Sequence, residues 1–152
     1  FDVSGAAWLP GRGALIRLEG LAASVAARGA DLSGRLAGFG AVQQGDSEIW
    51  SHLHAGVEAA EGDIWRITCR PSEAPALLAR LPEPLSLDWG GALIHVRLDP
   101  GHQPDLPGFS GHARRIRGAA PGLLPGRDPV AARLERGLHE RFDPRGVFQG
   151  QD

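Results

Sequence analysis

The chain has 152 residues, 42% of them hydrophobic and 22% charged, with a formal net charge of −2. That is the length of one domain with enough apolar surface for a real core, in a composition ordinary for a globular fold. The near-neutral charge argues against nucleic acid or an anionic membrane as a default partner, and no apolar run approaches the roughly 20 residues of a bilayer span.

No basic-then-apolar signal segment opens the chain. The single cysteine, Cys69, rules out an internal disulfide and a Cys-based zinc site, and suits a reducing compartment. All 16 basic residues are Arg, and Lys, Asn, Tyr and Met do not occur, a bias of GC-rich bacterial coding with little functional content. A start at Phe1-Asp2-Val3 without Met is expected of a chain cut from a longer one.

Residues 1–13, with Gly5, Pro10, Gly11 and Gly13, read as an extended interdomain connection, and residues 14–152 as the domain proper. Ala14 to Leu18 is predicted as a short strand. A helix follows from Leu21 to Ala37, with Leu21, Val25, Leu32 and Leu36 on one stripe. Gly29 weakens it by roughly 1 kcal/mol and Gly38 stops it. Residues 39–44 are read as a short strand. Asp46 is placed to cap a short helix carrying Ile49, Trp50 and Leu53, followed by a loop or frayed end over residues 56–62. Ile64 to Arg70 alternates as a strand, Trp65, Ile67 and Cys69 facing one way and Arg66, Thr68 and Arg70 the other. In that setting Cys69 is expected as a small buried hydrophobe. Ser72 is the expected cap of a helix running to Leu81, with Pro75 in its first turn.

The most specific local signal spans Leu85 to Val96. A two-residue Gly90-Gly91 turn would pair Trp89 with Ala92, Leu87 with Ile94 and Leu85 with Val96, all on one face. Ser86, Asp88, His95 and Arg97 fall on the other, and a slip of one residue would destroy the pattern. A Pro- and Gly-rich loop over residues 99–109 leads to a strand from Gly111 to Arg117, and a second loop holds Pro121, Pro125 and Gly126. Asp128-Pro129 then opens a helix with Val130, Leu134, Leu138 and Phe142 down one face. Pro144 ends it in a turn, after which Val147 and Phe148 are expected to pack back. Alternating helices and strands with one tight hairpin point to an α+β, ferredoxin-like fold, a mostly antiparallel sheet with helices packed on one face.

Motifs of chemistry are sparse. There is no phosphate-binding GxxxxGK[ST] and no GxSxG, and Gly11-Arg12-Gly13 precedes its strand, whereas a dinucleotide loop follows one. His52 and His54 stand about 200° apart on a helix and cannot share a metal; no metal site is expected. The polar strand faces are more informative. Arg66, His112, Arg114 and Arg117, with Arg115, Arg70, His95 and Arg97, form a basic sheet surface if their strands are neighbours. Guanidinium groups there suit a carboxylate, a phosphate or a docking domain; a solvated face is the plainer alternative.

The tail Leu134 to Phe148, with Phe142-Asp143-Pro144-Arg145-Gly146-Val147-Phe148, resembles the C-terminal FDPxGxF signature of FAD-linked oxidases of the vanillyl-alcohol-oxidase type. Phe1 to Trp8, the Asp88-Trp89-Gly90-Gly91-Ala92 turn, Gly111-His112-Ala113, Trp50 with Leu53, and Asp63 to Arg66 are similar to the E subunit family of bacterial glycolate oxidase. The chain ends Gln149-Gly150-Gln151-Asp152 where that family has Asn-Pro-Gly-Arg or Lys. The resemblance implies a C-terminal cap domain and a preceding FAD-binding domain that this chain lacks. The full complex would oxidise a small 2-hydroxy acid, glycolate, to glyoxylate, and pass electrons to an iron–sulfur subunit. A cytoplasmic location is implied, any membrane association coming through the complex. Gly146 and Phe148 are then the cofactor-side candidates, and Arg66, His112, Arg114 and Arg117 the substrate or docking candidates. FAD is not expected to bind this chain tightly alone. The alternative is a stand-alone ferredoxin-like ligand-binding or regulatory module unrelated to flavin.

Overall fold

From Trp65 to Thr68 apolar and polar residues alternate along β3 (Asp63–Thr68), and Ile64, Trp65 and Ile67 are fully buried. In the computed structural model, residues 1–120, 122–125 and 128–147 are described, apart from the side chains of residues 54–56 and 125. Strand β3 is hydrogen-bonded on both edges, to β5 (Leu93–Leu98) and to β6 (His112–Arg117). Outward from this centre lie β4 (Ser86–Asp88), β1 (Val3–Leu9) and β2 (Gly13–Leu18) on one side and β7 (Leu123–Pro125) on the other. Among the described residues these seven strands form one sheet, ordered β2-β1-β4-β5-β3-β6-β7, with every pairing antiparallel. The α+β, ferredoxin-like class read from the sequence is the class of the structure. No helix among the described residues is long and apolar enough to cross a membrane.

Among the described residues four α-helices accompany the sheet: α1 (Ala22–Leu36), α2 (His52–Ala59), α3 (Ala74–Leu78) and α4 (Pro129–Phe142). The sequence places helices on one face, and the register divides them between two. Leu87, Ile94, Ile67 and Ala113 are cross-strand partners and share a side. There Ala74 and Leu77 of α3, with Phe109 of the long loop, close the main core over Trp65, Ile67, Ile94 and Val96. Trp8 pairs with Leu87, so Ala7 and Leu9 point the opposite way. They bury against Leu53 of α2, with Ile49 and Trp50 of the 3-10 turn before it. Asp46 caps that turn, accepting from the Glu48 N–H at 3.0 Å.

The hairpin register is the predicted one: Ser86 pairs with His95, Leu87 with Ile94 and Asp88 with Leu93. Gly90 and Gly91 take φ of +64° and +95°, the two left-handed positions of a type I′ turn. Two features differ from expectation. Trp89 leaves the apolar face at φ +54° and is 55% exposed. The face expected to be polar is covered, with Ser86 1% and His95 6% exposed and Ser86 Oγ 3.1 Å from His95 Nδ1. Helix α2, whose Leu53 and Val57 are buried, lies against β4 there.

Other local expectations are corrected. Residues 1–13 are more than a connection, since Val3–Leu9 pairs with both β2 and β4. Residues 39–44 form no strand, and all are exposed. Helix α2 runs to Ala59, into the stretch read as loop. Ser72 does not cap the next helix. A 3-10 turn, Pro71–Glu73, precedes α3, and the Glu73 carboxylate accepts from the Arg70 N–H (3.1 Å) and the Ser110 N–H (3.1 Å), tying α3 to the loop before β6. Strand β7 lies in a stretch read as loop, paired to β6. Val147 is exposed instead of packed back, its N–H donating to Asp143 Oδ1 at 2.7 Å; Phe148 lies outside the described residues.

One charge pair is interior. Arg115 Nη1 lies 3.1 Å from Asp63 Oδ2, both nearly buried, and the guanidinium stacks 5.1 Å from the Trp65 ring centroid. The Gly101 N–H also donates to Asp63 Oδ2 at 3.0 Å. Removing one partner strands the other without solvent. Asp63→Ala should cost about 3–5 kcal/mol in chemical denaturation, whereas loss of the exposed Arg35–Asp31 pair should cost under about 1 kcal/mol.

Glu73 carries a second expectation. Desolvation pushes its pKa up, but the N–H groups of Arg70 and Ser110 and the Arg70 charge outweigh this and hold it below the usual glutamate range. A lowered folded-state pKa gives stability that is present above the unfolded pKa and lost as pH falls through the folded one. The stability gap between the parent and Glu73→Gln should therefore be full at neutral pH and close in acid, followed by urea melts across pH.

Candidate functional site: a basic strip on the sheet

The antiparallel register places His95, Arg66 and Arg114 in one cross-strand row. Leu93, Thr68 and His112 make the row on one side of it, and Arg97, Ile64 and Arg117 the row on the other. The expectation that Arg66, His112, Arg114 and Arg117 share a surface is thus met by the backbone. Arg115 is the exception: it pairs with Trp65, points to the main core and belongs to the interior ion pair. Arg70 lies past the end of β3, 3.9 Å from Asp128, the N-cap of α4.

Directly opposed side chains on antiparallel strands have Cβ atoms about 4.5–5.5 Å apart, where like charges repel. Arg66 and Arg114 are so placed, and among the described residues no carboxylate forms an ion pair with either. The Arg66 guanidinium instead sits 5.5 Å from the centroid of the exposed Trp89 ring. An anion received between the two arginines turns a repulsive pair into two charge-assisted hydrogen bonds. Arg117 is already committed, its Nη1 donating to the Ala60 carbonyl at the end of α2 at 2.6 Å, a cation on helix-terminal carbonyls.

His112 is positioned by Thr68. The Thr68 hydroxyl donates to the His112 carbonyl at 3.3 Å and lies 3.2 Å from His112 Nδ1. With the hydroxyl proton given to the carbonyl, Nδ1–H donates to Thr68 Oγ1 and Nε2 is the ring's proton acceptor. The strip therefore offers two cations, an aromatic face and one candidate base. Thr68 and Trp89 were not singled out by sequence reasoning. For Trp89 the signal was present as a bulky residue immediately before a turn with left-handed positions on both glycines.

The remaining candidates lie elsewhere. Gly146 is in the turn after α4 at φ +61°, with open space around it, and Val147 is exposed. Ser86 and His95 are buried on the side of the sheet where α2 lies. Burial, and then the Glu73 charge, pushes the Cys69 thiol up, so it stays protonated as a core residue. Among the described residues no three His, Cys, Asp or Glu side chains converge on a metal-sized site. A cleft of ≈ 250 Å³ beside Pro104, Leu106 and Leu124 lies against the main core, away from the strip.

A left-handed backbone at a bulky residue costs on the order of 1 kcal/mol. Trp89→Gly should remove that cost while losing little burial, so thermal denaturation should show stability held within about 1 kcal/mol of the parent. A marked fall would make Trp89 a structural residue instead of a surface reserved for a ligand. No protein-family model, curated protein or solved structure matches this chain.

Proposed function

We propose that this chain is the C-terminal domain of an FAD-dependent 2-hydroxy acid oxidoreductase subunit of the glycolate oxidase type, and that its basic strip is the wall it presents to the carboxylate of the substrate. The observation that carries the reading is the cross-strand pair of half-buried Arg66 and exposed Arg114, without an ion-paired carboxylate among the described residues, between Trp89 and His112. The tail and hairpin motifs that resemble the family support it. In this reading the FAD-binding domain closes the strip from the other side, an iron–sulfur subunit takes the electrons onward, and the protein works in the cytoplasm.

The chemistry asked of these residues is modest and fits what they can do. Arg66 and Arg114 hold the carboxylate through paired N–H donors, which orients the neighbouring hydroxyl-bearing carbon. His112 Nε2 accepts the hydroxyl proton, with Thr68 fixing the ring. Trp89 shields the Arg66 side of the anion from water. The flavin, when bound, supplies the electron sink; everything else named here is contributed by this chain.

A hydrogen bond between a charged donor and a charged acceptor contributes about 1.5–3 kcal/mol. In the full-length, FAD-loaded subunit, Arg66→Ala and Arg114→Ala should each raise KM for glycolate by roughly 10- to 100-fold, and Arg114→Lys should recover only part. His112→Gln should lower kcat more than it raises KM. Steady-state kinetics in which all three variants match the parent, with assembly intact, would assign the strip to solvent and sink the reading.

A further inference from the structure

The basic strip has an apolar border on its β7 side. Leu123 of β7 stands directly opposite Arg114, so the cross-strand row runs His95, Arg66, Arg114, Leu123. Ile116 lies two residues beyond Arg114 on β6 and turns to the same face. The register shift between Ile64 and Trp65 makes it the extra residue of a bulge, beside Arg117 and without a partner on β3. Leu123 is 40% and Ile116 45% exposed, whereas Ala113 and Leu124, which face the other way, join the main core. Leu123 and Ile116 are diagonal neighbours across the β6–β7 ladder, close enough for long side chains to make one surface.

The charges beside this border say what can lie on it. Arg66 and Arg114 call for an anion, and among the described residues no carboxylate pairs with either. A carboxylate held between them has β7 one strand further on, a spacing of about 4.8 Å that a short carbon chain covers. What the chain meets there is Leu123 and Ile116. A second carboxylate or a polar tail would find no donor on that side, because Arg117, the next cation on β6, is held by the Ala60 carbonyl. Glycolate, with no carbon beyond its hydroxyl-bearing one, covers none of the border.

We propose that Leu123 and Ile116 are the specificity residues of the strip, and that it takes 2-hydroxy acids with an unbranched aliphatic side chain in preference to glycolate. This rests on the reading of Arg66 and Arg114 as the wall that holds the carboxylate. The two arginines fix the head and are indifferent to the tail; the border reads the tail by the water it sheds. Selection of this kind is graded, since each methylene laid on an apolar surface adds a similar increment.

The test is titration of the 152-residue chain with glycolate, 2-hydroxybutyrate and 2-hydroxyhexanoate, followed by NMR shifts of the β6 and β7 amides. Kd should fall about two- to three-fold for each added methylene, less than for full burial because the border covers one side of the tail. Leu123→Thr and Ile116→Thr keep a β-branched residue in or beside the strand. Each should weaken 2-hydroxyhexanoate several-fold more than glycolate, and Arg114→Ala should weaken all three acids. Glycolate binding at the strip with a flat series in the parent overturns the apolar border and leaves the carboxylate wall standing. A series equally steep in the double variant I116T/L123T does the same. If none of the acids shifts the strip, the border and the wall fall together.

Discussion

The molecule is organised by one constraint: β3 is hydrogen-bonded along both edges, so its alternation is imposed on both neighbours. In an antiparallel sheet paired residues share a face. Once Trp65 and Ile67 turn into the main core, Ile94, Val96, Ala113 and Arg115 must turn with them. Arg66 and Thr68 then carry His95, Leu93, Arg114 and His112 to the opposite face. Core and basic strip are two sides of the same ladder. Arg115, odd in register, is the one arginine of its strand sent inward, and Asp63 at the head of β3 is there to receive it.

Much of this ladder was legible in the sequence because it is written at period two. The hairpin's pairing and the faces of β3 follow from alternation and a Gly-Gly turn, whereas the neighbourhood of β5, β3 and β6 is set by the sheet order. What was not legible depends on distant parts of the chain. Ser86 and His95 look like a solvated polar face until α2, some thirty residues away in sequence, is laid over them. Strand β7 is a short run between prolines that becomes a strand only because β6 offers an edge. Residues 39–44 show the reverse, a plausible strand that pairs with no other strand and stays exposed. Ser72 looks like the better cap by residue type, but Glu73 reaches two N–H groups at once. The helical stripes of α1 and α4 were readable as patterns, yet the pattern does not say what fills them.

The site divides along similar lines. The residue types were visible, and the register brings Arg66, Arg114 and His112 together. Trp89 entered only through its backbone conformation, and Arg117 left through its bond to Ala60. The strip is thus narrower and more specific than a count of arginines implies: two guanidinium groups in repulsive register, an aromatic ring and an oriented imidazole. In the proposed reading these are the parts of an anion receptor, the arginines and the imidazole carried on strands and Trp89 in the hairpin turn, which favours fixed geometry over adaptability.

Strand β6 is bracketed by two places where the chain touches β3 too closely for any side chain. A Cβ at Gly111 would collide with the Thr68 carbonyl, and one at Gly118 with the Asp63 carboxylate. The two contacts act as stops at either end of a ruler. The strand between them cannot slide by one residue, a shift that would drive Arg114 and His112 into the core and expel Arg115. Spacing along this strand is therefore keyed. Lengthening β6 should be tolerated far less than lengthening the 39–45 stretch, and sequence drift can alter the chemistry of the strip residue by residue without altering where the strip stands.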